Sequence, residues 1–576
     1  MDLSGKAIRE VVHPTAAFDQ VSPSSEAPDD TSNGQEQSLS DTWETSLLNL
    51  KNRVDSLDFP RRSLWRVDGC GSGGMQYFVV PIFLPNPPPV RLDVLLQDRQ
   101  PAELRRQLEL PTAFHTKDAE RLANLAITRH IIRTLNRWTE ASFSSPKDFE
   151  KFYKDIPFGS RLIFDNLSLD VSKIRVSVGL NHNLEHRMLD IPGLKELWGP
   201  DFVFPEVIDL YDLQVVKILH DSVCLVRIGG KLFIFKALAS GLKYLYHELK
   251  TLCSIKPHRN IIARPIHLVR KRGQFGAKQS VVGFTTVYHP KGSLRDIIPP
   301  LRIHGQLHLS DQITWSLQIA EGLEHLRSTC KTYYPDLRLD NVVLSATSDV
   351  VMVDFEQRGV WCEFAAPEIN VIEYMRLLVV ETAIPNTVRE KYRERLKRLV
   401  PNYDTLEGEL YTNPEHGFEV SWIALTPAEQ EAAEVYMLGR IMWCIFEGVS
   451  GPQKAAVWQS YRWESHLEFP EYERTPNAIR DLIDRCTRGR RGNLASVIAR
   501  LRSRLVLCNE SATGQQEEDV KDAARQFWLA ELEDAERYLD LRDSEMKRGT
   551  WNENHYGRPN LKEVIAALQA YQATIS

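Results

Sequence analysis

The chain has 576 residues, of which 43% are hydrophobic and 26% charged, so it is too long for one hydrophobic core and too apolar for a disordered chain. Its net charge of −6 gives no overall positive field, and we therefore expect neither a nucleic-acid partner nor a membrane partner. The eight cysteines stand singly and no apolar run reaches the length of a membrane span, which favours a cytoplasmic or nuclear protein over a secreted or membrane protein.

The first 200 residues are predicted to divide into a tail and a small domain. Residues 12–41 are rich in Ser, Pro, Asp, Glu and Gln, so residues 1–41 are predicted to form a disordered tail. In residues 42–200, strand-like runs at 63–67 and 77–84 precede apolar residues at helical spacing in 117–141. This pattern predicts an independent N-terminal α+β domain, whose role the sequence leaves open.

One motif in this domain resembles a nucleotide-binding loop. Gly69-Cys70-Gly71-Ser72-Gly73-Gly74 matches G-x-G-x-x-G, but Met75-Gln76-Tyr77-Phe78-Val79-Val80-Pro81 follows as a strand and not as a helix. No lysine in a suitable strand follows closely either. We interpret the motif as a glycine-rich hairpin turn without a ligand.

A three-stranded antiparallel meander is predicted at 213–219, 223–228 and 231–238. Its third strand places Lys236 in the otherwise apolar run Phe233-Ile234-Phe235-Lys236-Ala237, and the helix predicted at 244–255 carries Glu248 near its middle. A lysine in a strand is usually an edge or surface residue. The motifs further along the chain are what suggest a function for Lys236.

Polar motifs then follow in a fixed order between apolar elements. An amphipathic helix at 311–327 leads to Tyr333-Tyr334-Pro335-Asp336-Leu337-Arg338-Leu339-Asp340-Asn341. A strand pair at 342–344 and 350–353 ends in Asp354-Phe355-Glu356. Two further motifs come later, namely Ala366-Pro367-Glu368 and Glu434-Val435-Tyr436-Met437-Leu438-Gly439.

This order resembles that of the protein kinase superfamily. The segment around Asp336 is similar to H-R-D-L-x-x-x-N, Asp354-Phe355-Glu356 is similar to D-F-G, and Ala366-Pro367-Glu368 matches A-P-E. The resemblance implies an α+β, bilobal protein kinase fold over residues 203–507. Its N-lobe would be an antiparallel β-sheet and its C-lobe mainly helical.

The resemblance also implies ATP and Mg²⁺ as cofactors and a role for each motif residue. Asp336 would accept the hydroxyl proton, while Lys236 and Arg338 would contact phosphates. Asn341 and Asp354 would ligate the metal. The remaining nucleotide-binding positions would be Glu248, which pairs with Lys236, the gatekeeper Thr286, the backbone of Val287 and His289 in a hinge near 287–290, and Val343.

Several positions depart from the family pattern. The turn Leu219-His220-Asp221-Ser222-Val223 has no glycine with which to bring backbone N–H groups close to phosphates. Residues 354–368 form a short activation segment without Ser or Thr, which predicts that phosphorylation does not switch it. Glu356 replaces a glycine and would either repel the triphosphate or help to bind metal. Glu434 replaces an aspartate and could still bond the catalytic-loop backbone.

The C-terminal part contains an insert and two candidate arginine partners for Glu368. The insert at about 370–430 contains the mixed-charge run 389–398, which is typical of a solvated helix face, with substrate docking as an alternative. Either Arg491 or Arg558 could pair with Glu368 from the final kinase helix, and proximity to 482–486 favours Arg491. Residues 508–576 are predicted to be a helical extension, with Trp528, Leu532, Ala535 and Leu539 on one face.

Three functions fit these motifs. The favoured one is an active kinase that transfers the γ-phosphate of ATP to Ser or Thr of a protein substrate. The second is a pseudokinase that binds nucleotide or scaffolds an interaction partner, as the glycine-free turn and Glu356 suggest. The third, a small-molecule phosphotransferase, is least favoured because A-P-E and the helix at Glu434 are features of protein-directed members.

Overall fold

The computed structural model describes residues 10–19, 63–71, 74–97, 100–115, 119–273, 278–406, 411, 417–452, 467–501, 504–508 and 516–575. The chain divides into two units. Ser22–Leu242 and Ile266–Thr286 form the sheet unit, and Met1–Val21, Lys243–Pro265 and Val287–Ser576 form the helical unit. Helices and mixed sheets both occur, which confirms the predicted mixture of α and β structure. Of the helices in the described ranges, none is both long enough and apolar enough to cross a membrane.

The sheet unit begins with a sheet in which the strands follow chain order. These strands are β1 Trp65–Gly71, β2 Gln76–Pro81, β3 Leu92–Leu96, β4 Ser160–Phe164 and β5 Val176–Gly179. Only β3 and β4 pair in parallel. β1 and β2 pair antiparallel, from Trp65 opposite Pro81 to Gly71 opposite Gln76. The hairpin predicted around the glycine-rich motif is therefore confirmed, although Ser72 and Gly73 lie outside the described residues.

Helices of the sheet unit connect and cover these strands. They are α1 Ala102–Gln107, α2 Leu110–His115, α3 Ala119–Ala123, α4 Ala126–Ser142, α5 Pro146–Asp155, α6 His182–Arg187 and α7 Ile191–Trp198. The prediction of one continuous helix at 117–141 is wrong in one respect, because this region forms two separate helices, α3 and α4. The break falls where Leu125 has extended backbone angles and the Thr128 hydroxyl donates to the Leu122 carbonyl at 2.7 Å.

A second sheet of the same unit contains the predicted meander. Its strands are β6 Glu206–Asp209, β7 Gln214–Ile218, β8 Val223–Ile228, β9 Lys231–Lys236, β10 His267–Arg272 and β11 Gln279–Val287, in the order β6-β10-β11-β9-β8-β7. The antiparallel pairing of β7, β8 and β9 confirms the prediction. Gly283 of β11 is required for close packing, since a Cβ there would lie 2.2 Å from the Lys236 carbonyl oxygen.

Buried polar contacts join the two sheets into one unit. Asp68 accepts a hydrogen bond from the Ile218 amide at 2.7 Å, and the buried Lys271 and Glu185 form an ion pair at 2.6 Å. The residues predicted to form an independent domain at 42–200 therefore share a unit with the strands that were assigned to the next domain. The predicted boundary near 200–203 does not separate units.

The helical unit consists mainly of long helices. They are α8 Leu242–Ser254, α9 Leu294–Ile303, α10 Leu309–Ser328, α11 Pro367–Val380, α12 Asn386–Leu399, α13 Tyr403–Leu406, α14 Val420–Ile423, α15 Pro427–Glu447, α16 Asn477–Cys486, α17 Glu517–Arg548 and α18 Leu561–Ile575. α15 runs through the core, with nearly every residue buried from Ala432 onward. Thr426 and Glu429 form a capping box at its start, and Gly448, with φ of +76°, ends it.

Two short antiparallel hairpins accompany these helices. β12 Val342–Leu344 pairs with β13 Val350–Met352, as predicted. β14 Ile498–Leu501 pairs with β15 Arg504–Leu507. The second hairpin follows a short 3₁₀ turn at Leu494–Ser496, so the segment after Arg491 does not form the helix that was considered for it.

Arg558, and not the favoured Arg491, pairs with Glu368. Both side chains are buried, and Arg558 Nη1 lies 2.5 Å from Glu368 Oε1. Arg558 also donates to the carbonyl oxygens of Ala432 and Arg488, each at 2.9 Å. Arg491 instead pairs with Asp534 of α17. Arg558 therefore belongs to the helical unit, and no boundary between units lies at residue 507, where the sequence predicted the end of the kinase-like domain.

The N-terminal segment 10–19 is folded, in contrast to the predicted disordered tail. Val11 is fully buried and its carbonyl accepts from Trp528 Nε1 at 2.8 Å, while Pro14–Ala17 forms a 3₁₀ turn. Residues 1–9 and 20–41 of the predicted tail lie outside the described residues. The predicted apolar face of α17 is confirmed, since Trp528, Leu532, Ala535 and Leu539 are buried.

The mixed-charge run of the insert forms α12, and its charges are only partly solvated. Lys391 and Arg395 pair with Glu536 and Asp540 of α17 at 2.6 and 2.9 Å. Tyr392 and Leu396 are buried on the same helix. The predicted helix is confirmed, but part of its charged face contacts another helix of the unit.

Candidate active site

A buried carboxylate fixes the segment that carries the predicted catalytic residues. Glu434 of α15 accepts a hydrogen bond from the Tyr334 amide at 3.1 Å and forms an ion pair with Arg327 of α10 at 2.7 Å. Glu434 is 1% exposed, so both contacts are shielded from water. The predicted bond between Glu434 and the backbone of this segment is confirmed.

Asp336 is held by hydrogen bonds from Asn341 and by an ion pair with Arg338. Asn341 Nδ2 donates to the carboxylate and to the backbone carbonyl of Asp336, at 3.0 and 2.9 Å. Arg338 Nε lies 3.2 Å from Asp336 Oδ2. Asn341 is buried, whereas Asp336 keeps 23% of its side-chain surface exposed. The carboxylate is thus oriented by two neighbours and still accessible to a reacting group.

The surroundings of Asp336 raise its pKa to about 6. Burial is the main cause, and the negative charges of Asp354 and Asp340 act in the same direction. Arg338 and the hydrogen bond from Asn341 oppose this rise in the pKa. At neutral pH the Asp336 carboxylate is therefore mostly ionised, yet it accepts a proton more readily than an ordinary aspartate. These are the properties that a general base needs.

Three carboxylates lie close together at the Asp354-Phe355-Glu356 motif. Glu248, Asp354 and Glu356 each offer one oxygen, and these oxygens lie within 4.8 Å of one another. Glu248 Oε1 also accepts from the Phe355 amide at 2.9 Å, and Glu356 pairs with Arg358 at 2.7 Å. Asp354 has φ of +68°, an uncommon backbone conformation for a residue with a side chain. From the sequence, Glu356 was expected beside Asp354, either to repel a triphosphate or to help to bind metal, whereas the presence of Glu248 in the same cluster was not predicted.

Tyr334 connects the Asp336 and Asp354 segments. Its hydroxyl donates to the Val353 carbonyl, and its ring packs on Phe355 with 5.0 Å between ring centroids. Burial, followed by the charges of Asp354 and Asp336, raises the pKa of its phenol well above the usual range. The phenol therefore stays neutral and serves as a hydrogen-bond donor between the segments.

The segment after Asp354 has contacts that the sequence did not reveal. Trp361 packs against Arg338, with the guanidinium carbon 5.4 Å from the ring centroid. Gln357 donates to the Tyr333 carbonyl at 2.8 Å and bonds His247 of α8 at 2.9 Å. Its backbone carbonyl accepts from the Phe418 amide at 3.0 Å. An aromatic residue and an amide in a short loop are too common for their sequence alone to predict these roles.

Of the predicted nucleotide-binding residues, Val287 ends β11, His289 follows it, and Val343 lies in β12. Val287, at the end of β11, is 38% exposed, and burial lowers the pKa of His289. Ser293 forms a β-bridge with Val343, and the Leu344 amide donates to the Gly292 carbonyl at 3.0 Å. The chain after residue 290 is therefore bonded to β12 within the helical unit.

Two predicted site residues belong to the sheet unit. Lys236 is 7% exposed at the end of β9, opposite Val223 of β8, and Thr286 is 7% exposed in β11. The glycine-free turn of the same sheet is closed by hydrogen bonds from the Leu219 and His220 amides to the Val223 carbonyl. The helical unit brings Glu248, Asp336, Arg338, Asn341 and Asp354 together, whereas Lys236 and Thr286 lie in the other unit.

The chain was compared with family models and with curated proteins, and nothing matches in either comparison.

Proposed function

We propose that this chain is a divergent protein kinase, with a bilobal kinase fold, that transfers the γ-phosphate of ATP to Ser or Thr of a protein substrate. The observation that carries the proposal is the group formed by Asp336 and Asn341 together with Asp354. Asn341 bonds the Asp336 carboxylate at 3.0 Å, and the charge of Asp354 contributes to the raised pKa of Asp336. Phosphoryl transfer needs a base and metal ligands in such proximity.

Asp336 is the proposed catalytic base. Its pKa of about 6 suits the acceptance of a proton from a substrate hydroxyl near neutral pH. Arg338, 3.2 Å from Asp336, would place a cation beside the transferred phosphoryl group. Trp361, which packs on Arg338, would hold that guanidinium in position.

The donor atoms fit Mg²⁺, which prefers oxygen ligands. Asp354 would hold it together with Asn341, whose Nδ2 is engaged with Asp336 and whose Oδ1 is the atom suited to a cation. Glu356 is the candidate additional ligand, since its carboxylate lies within 4.8 Å of Asp354. When bound, Mg²⁺ would neutralise charge on the phosphates.

ATP is the proposed nucleotide. Lys236 would contact its phosphates and pair with Glu248, while Thr286, Val287, His289 and Val343 would surround the adenine. A protein substrate is favoured over a small molecule because Ala366-Pro367-Glu368 is held by the buried Arg558. We expect the protein to act in the cytoplasm or the nucleus.

A pseudokinase is the second candidate, and Glu356 is the observation that favours it. Its carboxylate is 4% exposed and lies beside Asp354, where a triphosphate would add further negative charge. Arg358 neutralises only part of this charge at 2.7 Å. In this case the fold would serve as a nucleotide-binding or scaffolding module for an interaction partner.

Transfer of radiolabel from γ-labelled ATP to the protein itself, casein and myelin basic protein tests the proposal. The wild type should label at least one acceptor with Mg²⁺ present. Asp336→Asn should abolish labelling because the isosteric amide cannot accept the proton. Asp481→Asn, at an exposed position of α16, is the matched control and should label normally.

Two results would decide against the proposal. Labelling that persists in Asp336→Asn would show that Asp336 is not the base. A wild type that Mg-ATP stabilises in a thermal shift, but that labels no acceptor, would favour the pseudokinase.

A further inference from the structure

A cavity of about 110 Å³ lies within the helical unit. Its wall is formed by the start of α11, the middle of α15, residues 491–495 and the first half of α17, together with Val12, Cys362, Glu363 and Ala365. Among its described lining residues are Arg440, Asn370, Tyr374 and Trp528, but not Asp336, Asn341 or Asp354. Its ligand would therefore differ from the nucleotide and the metal proposed above.

Arg440 is the unusual residue of this wall. The described part of the helical unit buries three arginines to 6% exposure or less. Arg542 is bound at 2.7 Å by both oxygens of Glu429, and Arg558 is bound by Glu368. Arg440, at 5% exposure, has no carboxylate partner among the described residues. A buried guanidinium without an anion is costly, so an anion bound beside Arg440 would offset that cost.

The described contacts of Arg440 satisfy only part of its hydrogen-bonding capacity. Nη1 donates to the Tyr436 hydroxyl at 3.4 Å, and the guanidinium lies over Phe469 at 4.6 Å. Nε is buried and has no hydrogen-bond partner among the described residues. The aromatic rings offset some of the desolvation of the cation but accept no N–H bond in the plane of the guanidinium. A carboxylate or phosphoryl oxygen would accept it.

The other charged lining residues already have partners. Glu363 accepts a hydrogen bond from Trp361 Nε1 at 3.0 Å. Glu531 lies 3.8 Å from Arg491, which also pairs with Asp534. Glu363 and Glu531 line the same wall, but no described carboxylate forms an ion pair with Arg440.

The rest of the wall defines the ligand further. Asn370 donates through Nδ2 to the Cys362 carbonyl at 3.2 Å, and its buried Oδ1 has no hydrogen-bond partner among the described residues. Tyr374 and Trp528 pack edge to face at 5.0 Å and give the cavity an aromatic side. A ligand that fits would combine an anionic group, a flat apolar body and a hydroxyl or amine donor.

We propose that this cavity binds a small organic anion, a carboxylate or a phosphate monoester with a flat apolar body, through Arg440. The anionic group would accept hydrogen bonds from the guanidinium. The apolar body would contact Tyr374 and Trp528.

Isothermal titration of the full chain tests this site with benzoate and phenyl phosphate as anionic probes and benzyl alcohol as a neutral one. The wild type should bind at least one anion and should bind benzyl alcohol at least about tenfold more weakly, since it lacks the charge. Arg440→Met should weaken anion binding about tenfold or more, and Arg440→Lys should retain part of it. Arg490→Met removes an exposed guanidinium outside the cavity and should bind like the wild type.

Two further measurements distinguish anion binding in this cavity from binding in the nucleotide site and from a purely structural role of Arg440. Asp354→Asn should bind the anions unchanged, because Asp354 does not line the cavity; a loss there would place the probe in the nucleotide site and overturn the proposal. Arg440→Met should unfold at the same or a higher temperature in probe-free buffer. A wild type that binds neither anion, or equal anion binding by the wild type and Arg440→Met, would also overturn it. If Arg440→Met does not fold, Arg440→Lys with Asn370→Ala replaces it, and unchanged anion binding by this pair would overturn the proposal.

Discussion

The segment from Tyr334 to Asn341 and the turn at residues 219–223 are held in different ways. Buried polar groups fix the first, since Glu434 binds the Tyr334 amide and Asn341 binds Asp336. The turn is closed by backbone hydrogen bonds, and the side chains of His220 and Asp221, which pair with each other, remain 70% and 49% exposed. Substitutions should therefore be costly around the first segment and cheap in the turn. The difference separates positions whose side chains hold the fold together from positions whose side chains contribute little to it.

The largest expected effect comes from breaking the buried pair behind the A-P-E motif. Arg558→Met should destabilise the protein by about 3–5 kcal/mol, because it leaves the Glu368 carboxylate buried without its partner. Chemical denaturation followed by circular dichroism measures this change.

Arg491→Met is the matched control for that experiment. Arg491 keeps 30% of its side chain exposed and pairs with Asp534 near the surface, so the loss should stay below about 1 kcal/mol. Equal destabilisation by the two variants would contradict the assignment of Arg558 as the structural partner of Glu368.

An intermediate effect is expected from Asp336, as a dependence of stability on pH. The folded carboxyl has a pKa of about 6, above its ordinary value of 3.8, so the folded state binds more protons between these values. The contribution of Asp336 to the free energy of unfolding should therefore fall as pH rises from about 4 to about 6 and then stay level. Because the amide of Asp336→Asn does not titrate, that variant should be more stable than wild type at pH 7 by roughly 1–3 kcal/mol.

Denaturation of the two proteins at pH 4 and pH 7 checks this sign. The gain should appear mainly at pH 7, where wild-type Asp336 is charged. Asp481→Asn, at an exposed position, should change stability little at either pH. A variant that is less stable than wild type at pH 7 would show that the Asp336 charge stabilises the site through Arg338.

Local patterns explain which parts of the fold were predictable. Alternating apolar residues predicted β7 to β9, and helical spacing predicted α10 and the buried face of α17. Glu248, Asp336, Asn341 and Asp354 were proposed as site residues from their order and spacing, and the helical unit brings them together. Short-range periodicity and motif spacing are properties that the sequence carries directly.

The remaining features depend on contacts between distant segments. Arg491 was favoured because it closely follows α16, yet Arg558 reaches Glu368 through carbonyl contacts at Ala432 and Arg488 that no local pattern encodes. The packing of Trp361 on Arg338 and the burial of Arg440 likewise require the folded chain. The N-terminal segment was predicted to be disordered from its composition, but Val11 gains its burial from α17. The composition of residues 12–41 gives no information about such a distant packing partner.

The smallest structural effect, and a direct test of the turn, is expected from Asp221→Gly. No residue of this turn has a positive φ, so its conformation does not require glycine, and the exposed substitution should cost no more than about 1 kcal/mol. Under the proposed function, the glycine removes a carboxylate and lets backbone N–H groups approach the phosphates, so affinity for Mg-ATP should rise about two- to tenfold. Isothermal titration measures the change, with Asp201→Gly, exposed in the same unit, as the charge-matched control. Equal affinities in both variants would mean that this turn does not contact the nucleotide, whereas a gain confined to Asp221→Gly would show that the turn residue Asp221 limits nucleotide binding and not folding.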